Sequence, residues 1–340
     1  MIVRSPDVSA AVHDDRSQMS NLTHELPARQ ISRRGLSVSE LGFGGASIGN
    51  LYRATSDEES AAAVEQAWAG GIRYFDTAPH YGLGLSERRL GAALRGKDRD
   101  DFVLSTKVGR LLVPNPMPRG SDLQAGGFDV RDDLVREFDY SRDGVLRSIE
   151  GSLQRLGLDR IDIVYVHDPE NHMDDAVSHA LPALCELRDQ GVITAVGAGM
   201  NYVAPLRRIV ADTDVDVVMV AGRWTLLDRC GAPLLAECAD REVAVVAAAP
   251  FNSGLLSRPF PTGGKFDYAD ASAKTIAQAQ HLAELCADSG IELPAAALQF
   301  PLRDEAVVSV VPGMRNPAQV ADTVSRFRAP VPDELWRQVS

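Results

Sequence analysis

From Leu36 onward the chain alternates short runs rich in β-branched residues with longer stretches whose apolar positions recur at helical spacing. The short runs predict eight strands, near 41–44, 72–76, 102–106, 161–167, 192–197, 215–220, 243–248 and 307–311. Between them the 3.6-residue period predicts helices over 57–70, 86–95, 142–156, 174–190, 203–212, 227–240 and 272–288, with a further helical piece over 294–302. Ser56 before Asp57-Glu58, and Ser86 before Glu87, are placed as N-caps, where a side-chain oxygen satisfies free backbone N–H groups.

Eight strands separated by crossover helices predict an α/β fold, a (β/α)8 TIM barrel. An open doubly wound sheet is the alternative, and it calls for a glycine-rich turn joining its first strand directly to its first helix. Gly42-Phe43-Gly44-Gly45-Ala46 lacks the third glycine of that turn, and a dozen residues separate it from the next helix. Arg33-Arg34-Gly35-Leu36-Ser37-Val38 reads as part of an N-terminal β-hairpin that closes the barrel's bottom. Two connections, Gly109 to Tyr140 and Pro250 to Ala271, are far longer than usual. Both follow strands, so they are expected as long loops at the C-terminal face, where barrel active sites are built. Residues 1–29, polar and mixed in charge, read as a flexible leader, and 30–340 as one barrel.

Composition narrows the partners. The 340 residues carry 35 Lys plus Arg against 47 Asp plus Glu, a formal net charge of −12. That balance argues against nucleic acid and against an anionic membrane surface as partners. The four cysteines form no CxxC pair, which disfavours a zinc cluster or a disulfide framework and fits a cytoplasmic location. No coiled-coil heptad or interface stripe reveals an oligomeric state.

Side chains alternate along a strand, so parity tests which polar groups share a mouth. Asp76 is in phase with Ile72 and Tyr74, Lys107 with Val103 and Ser105, and His167 with Ile161, Ile163 and Tyr165. Strands 2, 3 and 4 therefore each end in an ionisable residue, and Tyr81 follows Asp76 by five positions. Singly, each has a plainer explanation: a turn cap, a solvated lysine, a core histidine. Their joint arrival at neighbouring strand ends favours catalysis. A tyrosine acting as acid or base near neutrality needs a shift of ~3 pKa units, ~4 kcal/mol. Lys107 is positioned to favour the phenolate, Asp76 to hold Lys107, and His167 to orient a substrate oxygen. Such a set moves a proton on an oxygen whose carbon exchanges a hydride. A metal site is not expected, because only His80 and His167 of the seven histidines fall in strand-end loops.

The segment Gly71-Ile72-Arg73-Tyr74-Phe75-Asp76-Thr77-Ala78-Pro79-His80-Tyr81-Gly82, followed by Ser86-Glu87 and Leu90-Gly91, resembles the aldo-keto reductase signature. Ser105-Thr106-Lys107, the run from Ile161 to Pro169, and Val311-Pro312-Gly313-Met314-Arg315 match later blocks of that superfamily. The resemblance covers about residues 30–328. It implies a barrel that binds NAD or NADP without a Rossmann turn, with Tyr81 as proton donor or acceptor assisted by Asp76, Lys107 and His167. Gly197 to Asn201, Ala221 to Asp228 and Pro250 to Leu256 resemble its sugar-oxidising branch, the D-threo-aldose 1-dehydrogenases or L-fucose dehydrogenases. L-galactose dehydrogenases and pyridoxal 4-dehydrogenases are similar to the same branch.

By that likeness the cofactor contacts are Asn201, Trp224, Pro250, Phe251, Asn252, Gly254, Leu255, Gly313, Arg315 and Gln319. Trp224 or Phe251 would supply the aromatic surface, since the position of the usual stacking tyrosine aligns with Ala248. Arg315 would contact the pyrophosphate or a 2′-phosphate. Gly313 and Gln319 stand where many NADPH-dependent relatives carry a basic residue, which favours NAD. Substrate contacts are expected from Arg110, Asp168 and Trp224. The implied reaction oxidises the anomeric hydroxyl of an aldose, of the L-fucose, D-arabinose or L-galactose type, to a lactone. Pyridoxal oxidation, NADPH-dependent carbonyl reduction and a non-catalytic cofactor-binding regulatory barrel are the alternatives.

Overall fold

A barrel whose strands are buried on both faces needs near-continuous apolar runs, and the segments that supply them pair in parallel in the computed structural model, which describes residues 25–31, 33–267 and 269–339. The barrel strands are β1 (Phe43–Gly44), β2 (Tyr74–Asp76), β3 (Val103–Val108), β4 (Ile163–His167), β5 (Ala195–Met200), β6 (Val217–Ala221), β7 (Ala244–Ala248) and β8 (Val307–Val311). They pair in that order, and the parallel bridges Leu41 to Val310 and Gly44 to Gly313 bring the first strand against the last. The eight-stranded barrel is as the sequence pattern predicts.

Inward-facing residues of alternating parity fill the interior: Tyr74, Val103, Ile163, Tyr165, Ala195, Val217, Met219, Ala244, Val246 and Val308. Ile31 and Val38, from an antiparallel hairpin of Ala28–Ile31 and Leu36–Ser39, join this cluster and close the bottom. The hairpin starts at Ala28, and Leu26 is buried, so the leader inferred for 1–29 is too long at its end; its residues 1–24 lie outside the described segment. The outward faces pack with the helices into a larger cluster. Ile72 and Ile161 belong to that outer cluster, because β2 and β4 begin only at Tyr74 and Ile163 and the alternation does not extend back to them.

Other departures have local causes. β5 begins three residues late because Val192 closes the preceding helix, its N–H bonded to the Leu187 carbonyl. The helix expected over 174–190 is interrupted by a π turn at Ala176–Ala180. The one expected over 227–240 begins at Ala232, because the Thr225 hydroxyl and backbone hold a turn against Asp228. Ser86 is not a cap. It lies inside the helix Leu85–Leu94, where its hydroxyl donates to the Gly45 carbonyl and meets Thr77 Oγ1.

Both long connections carry structure. The first forms a second hairpin, Arg110–Pro114 with Leu134–Phe138, and the other a short one, Lys265–Phe266 with Ala269–Asp270. Helices Pro317–Arg328 and Asp333–Val339 follow β8 and were not anticipated from the sequence. Asn316 caps the former by accepting from the Gln319 N–H. No described helix is long and apolar enough to cross a membrane.

Candidate active site

The C-terminal ends of the strands open into a cavity of about 1120 Å³. Asp76, Tyr81, Lys107 and His167 all line it, so the structure brings together the three residues that parity selected and the tyrosine that follows Asp76 by five positions. Lys107 Nζ lies 2.9 and 2.7 Å from the two Asp76 carboxylate oxygens and donates to the Thr77 carbonyl at 3.0 Å. It sits 4.6 Å from the centre of the Tyr81 ring, whose edge meets His167 at 5.7 Å between centroids. Asp76 also accepts from Ser105 Oγ at 2.7 Å. Ser105 in turn lies 3.1 Å from the Tyr74 hydroxyl, itself 3.1 Å from that of Tyr165. This polar column inside the barrel fixes the carboxylate from below. Ser105, Tyr74 and Tyr165 share the parity of the tetrad, and that was the signal by which they could have been found.

Burial and nearby charges set the protonation states. Burial raises the Tyr81 hydroxyl to about 12, with Lys107 opposing the shift without overcoming it. In the ligand-free protein the group is therefore a phenol at neutral pH: Lys107 favours the phenolate, in the direction expected of it, but burial outweighs it. Burial also works against the Lys107 ammonium, but Asp76 and Tyr81 outweigh it and its pKa is raised. His167 is held well below the ordinary imidazole range, first by burial and then by Arg110 and Lys107, and His80 is lowered to about 2 for similar reasons. Both rings are neutral hydrogen-bonding groups.

Of the expected cofactor contacts, Asn201, Pro250, Phe251, Gly254, Gly313, Arg315 and Gln319 line the cavity. Trp224 does not: its indole N–H donates to the Pro301 carbonyl and its ring packs on Phe300, 5.4 Å away, which turns it away from the place expected of a nicotinamide surface or substrate contact. Asn252 and Leu255 are buried behind the wall, Asn252 between Thr225 Oγ1 and the Gly222 carbonyl, and Leu255 in an apolar cluster. Arg315 borders the cavity, but its guanidinium donates to Thr55 Oγ1 and to the carbonyls of Arg53 and Leu51, anchoring the loop after β1. That gives it a structural role at the cavity edge. The exposed Arg53 and Arg258 also line the cavity, as does Arg326, which pairs with Glu292 at 3.0 Å. Arg223 holds the Asn201 carbonyl at 2.8 Å and reaches Asp267 in the second long loop at 2.8 Å. Asp168 lines the cavity, and Arg110 touches it only through Asp168, 2.7 Å away.

The lining suits an elongated dinucleotide. Small residues, Gly199, Ala221, Ala248 and Gly313, leave the strand ends open beside the tetrad, and Phe251 provides an aromatic face. Asn252, Ser253 and Gly254 follow with φ of 46, 58 and 94°, conformations that persist where the surroundings enforce them. Gln319, Asp322, Thr323 and Arg326, all on Pro317–Arg328, border the cavity, and a helix N-terminus suits phosphate. Among the described residues no group of three or more His, Cys, Asp or Glu is arranged to hold a metal ion.

Comparison with known proteins agrees with this geometry. The Aldo/keto reductase family pattern matches residues 40–340. The chain is 47% identical over 310 residues to a D-threo-aldose 1-dehydrogenase of a Pseudomonas species, covering 90% of this chain and 94% of that one. It is 41% identical over 329 residues to a pyridoxal 4-dehydrogenase of Microbacterium luteolum, covering 91% and 95%. Among solved structures, the holo form of an aldo-keto reductase from Bacillus halodurans superposes with a TM-score of 0.72 at 25% identity, covering 93% of this chain and 95% of that one.

Proposed function

The chain belongs to the aldo/keto reductase family of NAD(P)-dependent oxidoreductases, and on that premise we propose that it oxidises the ring-closed hemiacetal of an aldose at its anomeric carbon, giving a lactone. The observation that carries the chemistry is Lys107, clamped between both Asp76 oxygens and the Thr77 carbonyl beneath the Tyr81 ring, with a neutral His167 at that ring's edge. The choice of an aldose rests on the 47% identity to a D-threo-aldose 1-dehydrogenase.

When bound, the nicotinamide ring supplies the hydride acceptor. Tyr81, as its phenolate, takes the proton of the anomeric hydroxyl as the C–H bond yields its hydride, so the substrate loses two electrons as a hydride and one proton, and the proton passes to the phenolic oxygen, converting the phenolate to the phenol. Lys107 stabilises the negative charge on that oxygen, and Asp76 keeps Lys107 protonated and in place. His167, neutral and buried, positions the substrate oxygen. Asn201, Phe251 and the Ser253–Gly254 turn would hold the nicotinamide half of the cofactor. Arg53, Arg258 and the helix Pro317–Arg328 would face its phosphates. NAD is the preferred form, because Gly313, Gln319 and Asp322 border that end of the cavity without offering a cation to a 2′-phosphate.

Purified protein is tested with L-fucose, D-arabinose, L-galactose and pyridoxal against both cofactors, following reduced-cofactor absorbance. Sugar-dependent reduction of NAD is the expected result; none with any sugar overturns the reading. Pyridoxal belongs in the panel because the 41% identical relative is a pyridoxal 4-dehydrogenase and pyridoxal also forms a ring-closed hemiacetal.

A further inference from the structure

The hairpin Arg110–Pro114 with Leu134–Phe138 plays no part in the proton chemistry, yet it sets one arginine against each flank of the catalytic mouth. Arg110 Nη2 reaches Asp168 Oδ2 at 2.7 Å. Arg136, paired bidentately with Asp122 at 2.6 Å, donates to the His80 carbonyl at 3.0 Å. The residues so fixed, Asp168 and His80, directly adjoin His167 and Tyr81 in sequence, and both line the cavity.

Neither is a routine core residue. Asp168 holds a φ of 43°, uncommon for a residue with a side chain, and its carboxylate is largely removed from water. Arg110 engages it through one nitrogen and one oxygen only, while Arg110 Nε is buried without a partner. His80 Nδ1 is likewise buried without a partner, with its ring 5.5 Å from His167 and 5.2 Å from Phe128. Buried polar groups are normally satisfied, and the Asp168 carboxylate, which lines the cavity and meets Arg110 through Oδ2 alone, is a group a ligand can complete. Asp168 Oδ2 lies 3.5 Å from His167 Nε2. An oxygen held by His167 therefore has its vicinal neighbour within reach of the carboxylate, since vicinal oxygens are separated by little more than a hydrogen bond.

We propose that Asp168, held by Arg110, and His80 form a hydroxyl-reading subsite that selects substrates bearing a hydroxyl on the carbon next to the one oxidised. The proposal rests on the aldose reading above and deepens it. Asp168 accepts from that hydroxyl and His80 completes its hydrogen bonding. A substrate lacking the hydroxyl leaves the desolvated Asp168 carboxylate with its Arg110 contact alone, a loss of the kind by which sites discriminate strongly.

D-Arabinose and 2-deoxy-D-ribose differ only at that hydroxyl, and the ratio of their kcat/KM values reads the subsite. The wild-type protein should favour the hydroxylated sugar by at least about a hundredfold. Asp168→Asn should lower that ratio tenfold or more, mainly through KM for D-arabinose, and His80→Phe should lower it independently. Cofactor dissociation constants for each variant check that the barrel is folded. A wild-type ratio near one overturns the subsite, and so does an Asp168→Asn variant that slows both sugars equally, because Asp168 then acts through His167. If neither sugar is oxidised, the aldose reading itself fails. The subsite is then judged in the reductive direction from lactaldehyde against propanal, where a ratio unmoved by Asp168→Asn overturns it.

Discussion

Tyr81 and Lys107 oppose each other in one small volume, and the balance between them makes a prediction about pH. The buried hydroxyl is raised to about 12 in the ligand-free protein, so oxidation with the phenolate as the proposed base would draw on a minority form at neutrality. The rate of oxidation should rise with pH across 7 to 9, whereas reduction, which needs the phenol as acid, should stay level there. Because His167 is neutral throughout that range, no acidic limb from its titration should intrude. Steady-state profiles in both directions check this, and oxidation that falls as pH rises contradicts it. Tyr81→Phe removes the proton carrier and leaves the cavity shape almost unchanged, so turnover should fall about a thousandfold with cofactor affinity retained. Stopped assays and fluorescence titration of the same preparation separate the two. At this scale the sequence was informative wherever strand parity applied: Asp76, Lys107 and His167 all point where their phase requires. It was uninformative where a side chain's partners come from distant loops. Nothing local to Arg315 shows that its N–H groups are engaged by Leu51, Arg53 and Thr55, and nothing near Trp224 reveals Pro301.

Between elements, several residues that carry the family likeness serve the scaffold instead of the reaction. Glu87 is fully buried in the helix Leu85–Leu94, where it accepts from Thr106 Oγ1 at 2.9 Å and pairs with Arg155 of the helix Arg142–Leu156 at 2.5 Å. It thus ties two helices to β3, one residue before Lys107. Gly91 lets the same helices touch: a Cβ there would stand 1.9 Å from the Leu156 carbonyl oxygen. Glu87→Ala leaves Arg155 and Thr106 short of partners and should cost about 3 kcal/mol, near the low end for a broken buried pair because Arg155 keeps some contact with water. Gly91→Ala should cost a similar amount, about 1–3 kcal/mol, from overpacking. Thermal unfolding measures both, and melting temperatures equal to wild type contradict the assignments. The barrel strands and the helices between them were legible because their periods repeat over a dozen residues or recur eight times. The second hairpin was not, because its strands pair across a long intervening loop and nine of their ten positions stay at least partly in contact with solvent, giving no continuous apolar run.

On the scale of the whole molecule, a chain of net charge −12 must bind a polyanionic cofactor with few cations. Arg53, Arg258 and Arg326 line the cavity, and Arg326 is already paired with Glu292, while Asp322 contributes a carboxylate to the same helix face. Two phosphates in the pyrophosphate can be met by such a set together with a helix N-terminus. A third phosphate on the ribose would add up to two negative charges against a wall of Gly313, Gln319 and Asp322. NADH should therefore bind at least about tenfold more tightly than NADPH, a difference of about 1.4 kcal/mol. The same reasoning gives the route to reversal. A Cβ added at Gly313 meets only Ser47 Oγ, at 3.0 Å, so the first carbon of a lysine side chain needs a small movement of that hydroxyl. Gly313→Lys combined with Gln319→Arg should bring the two dissociation constants together or invert them, and raising the salt concentration should weaken NADPH binding to the double variant more than NADH binding. Titrating both cofactors at two ionic strengths distinguishes this from a loosened cavity, in which both affinities would fall together and the salt dependence would not change.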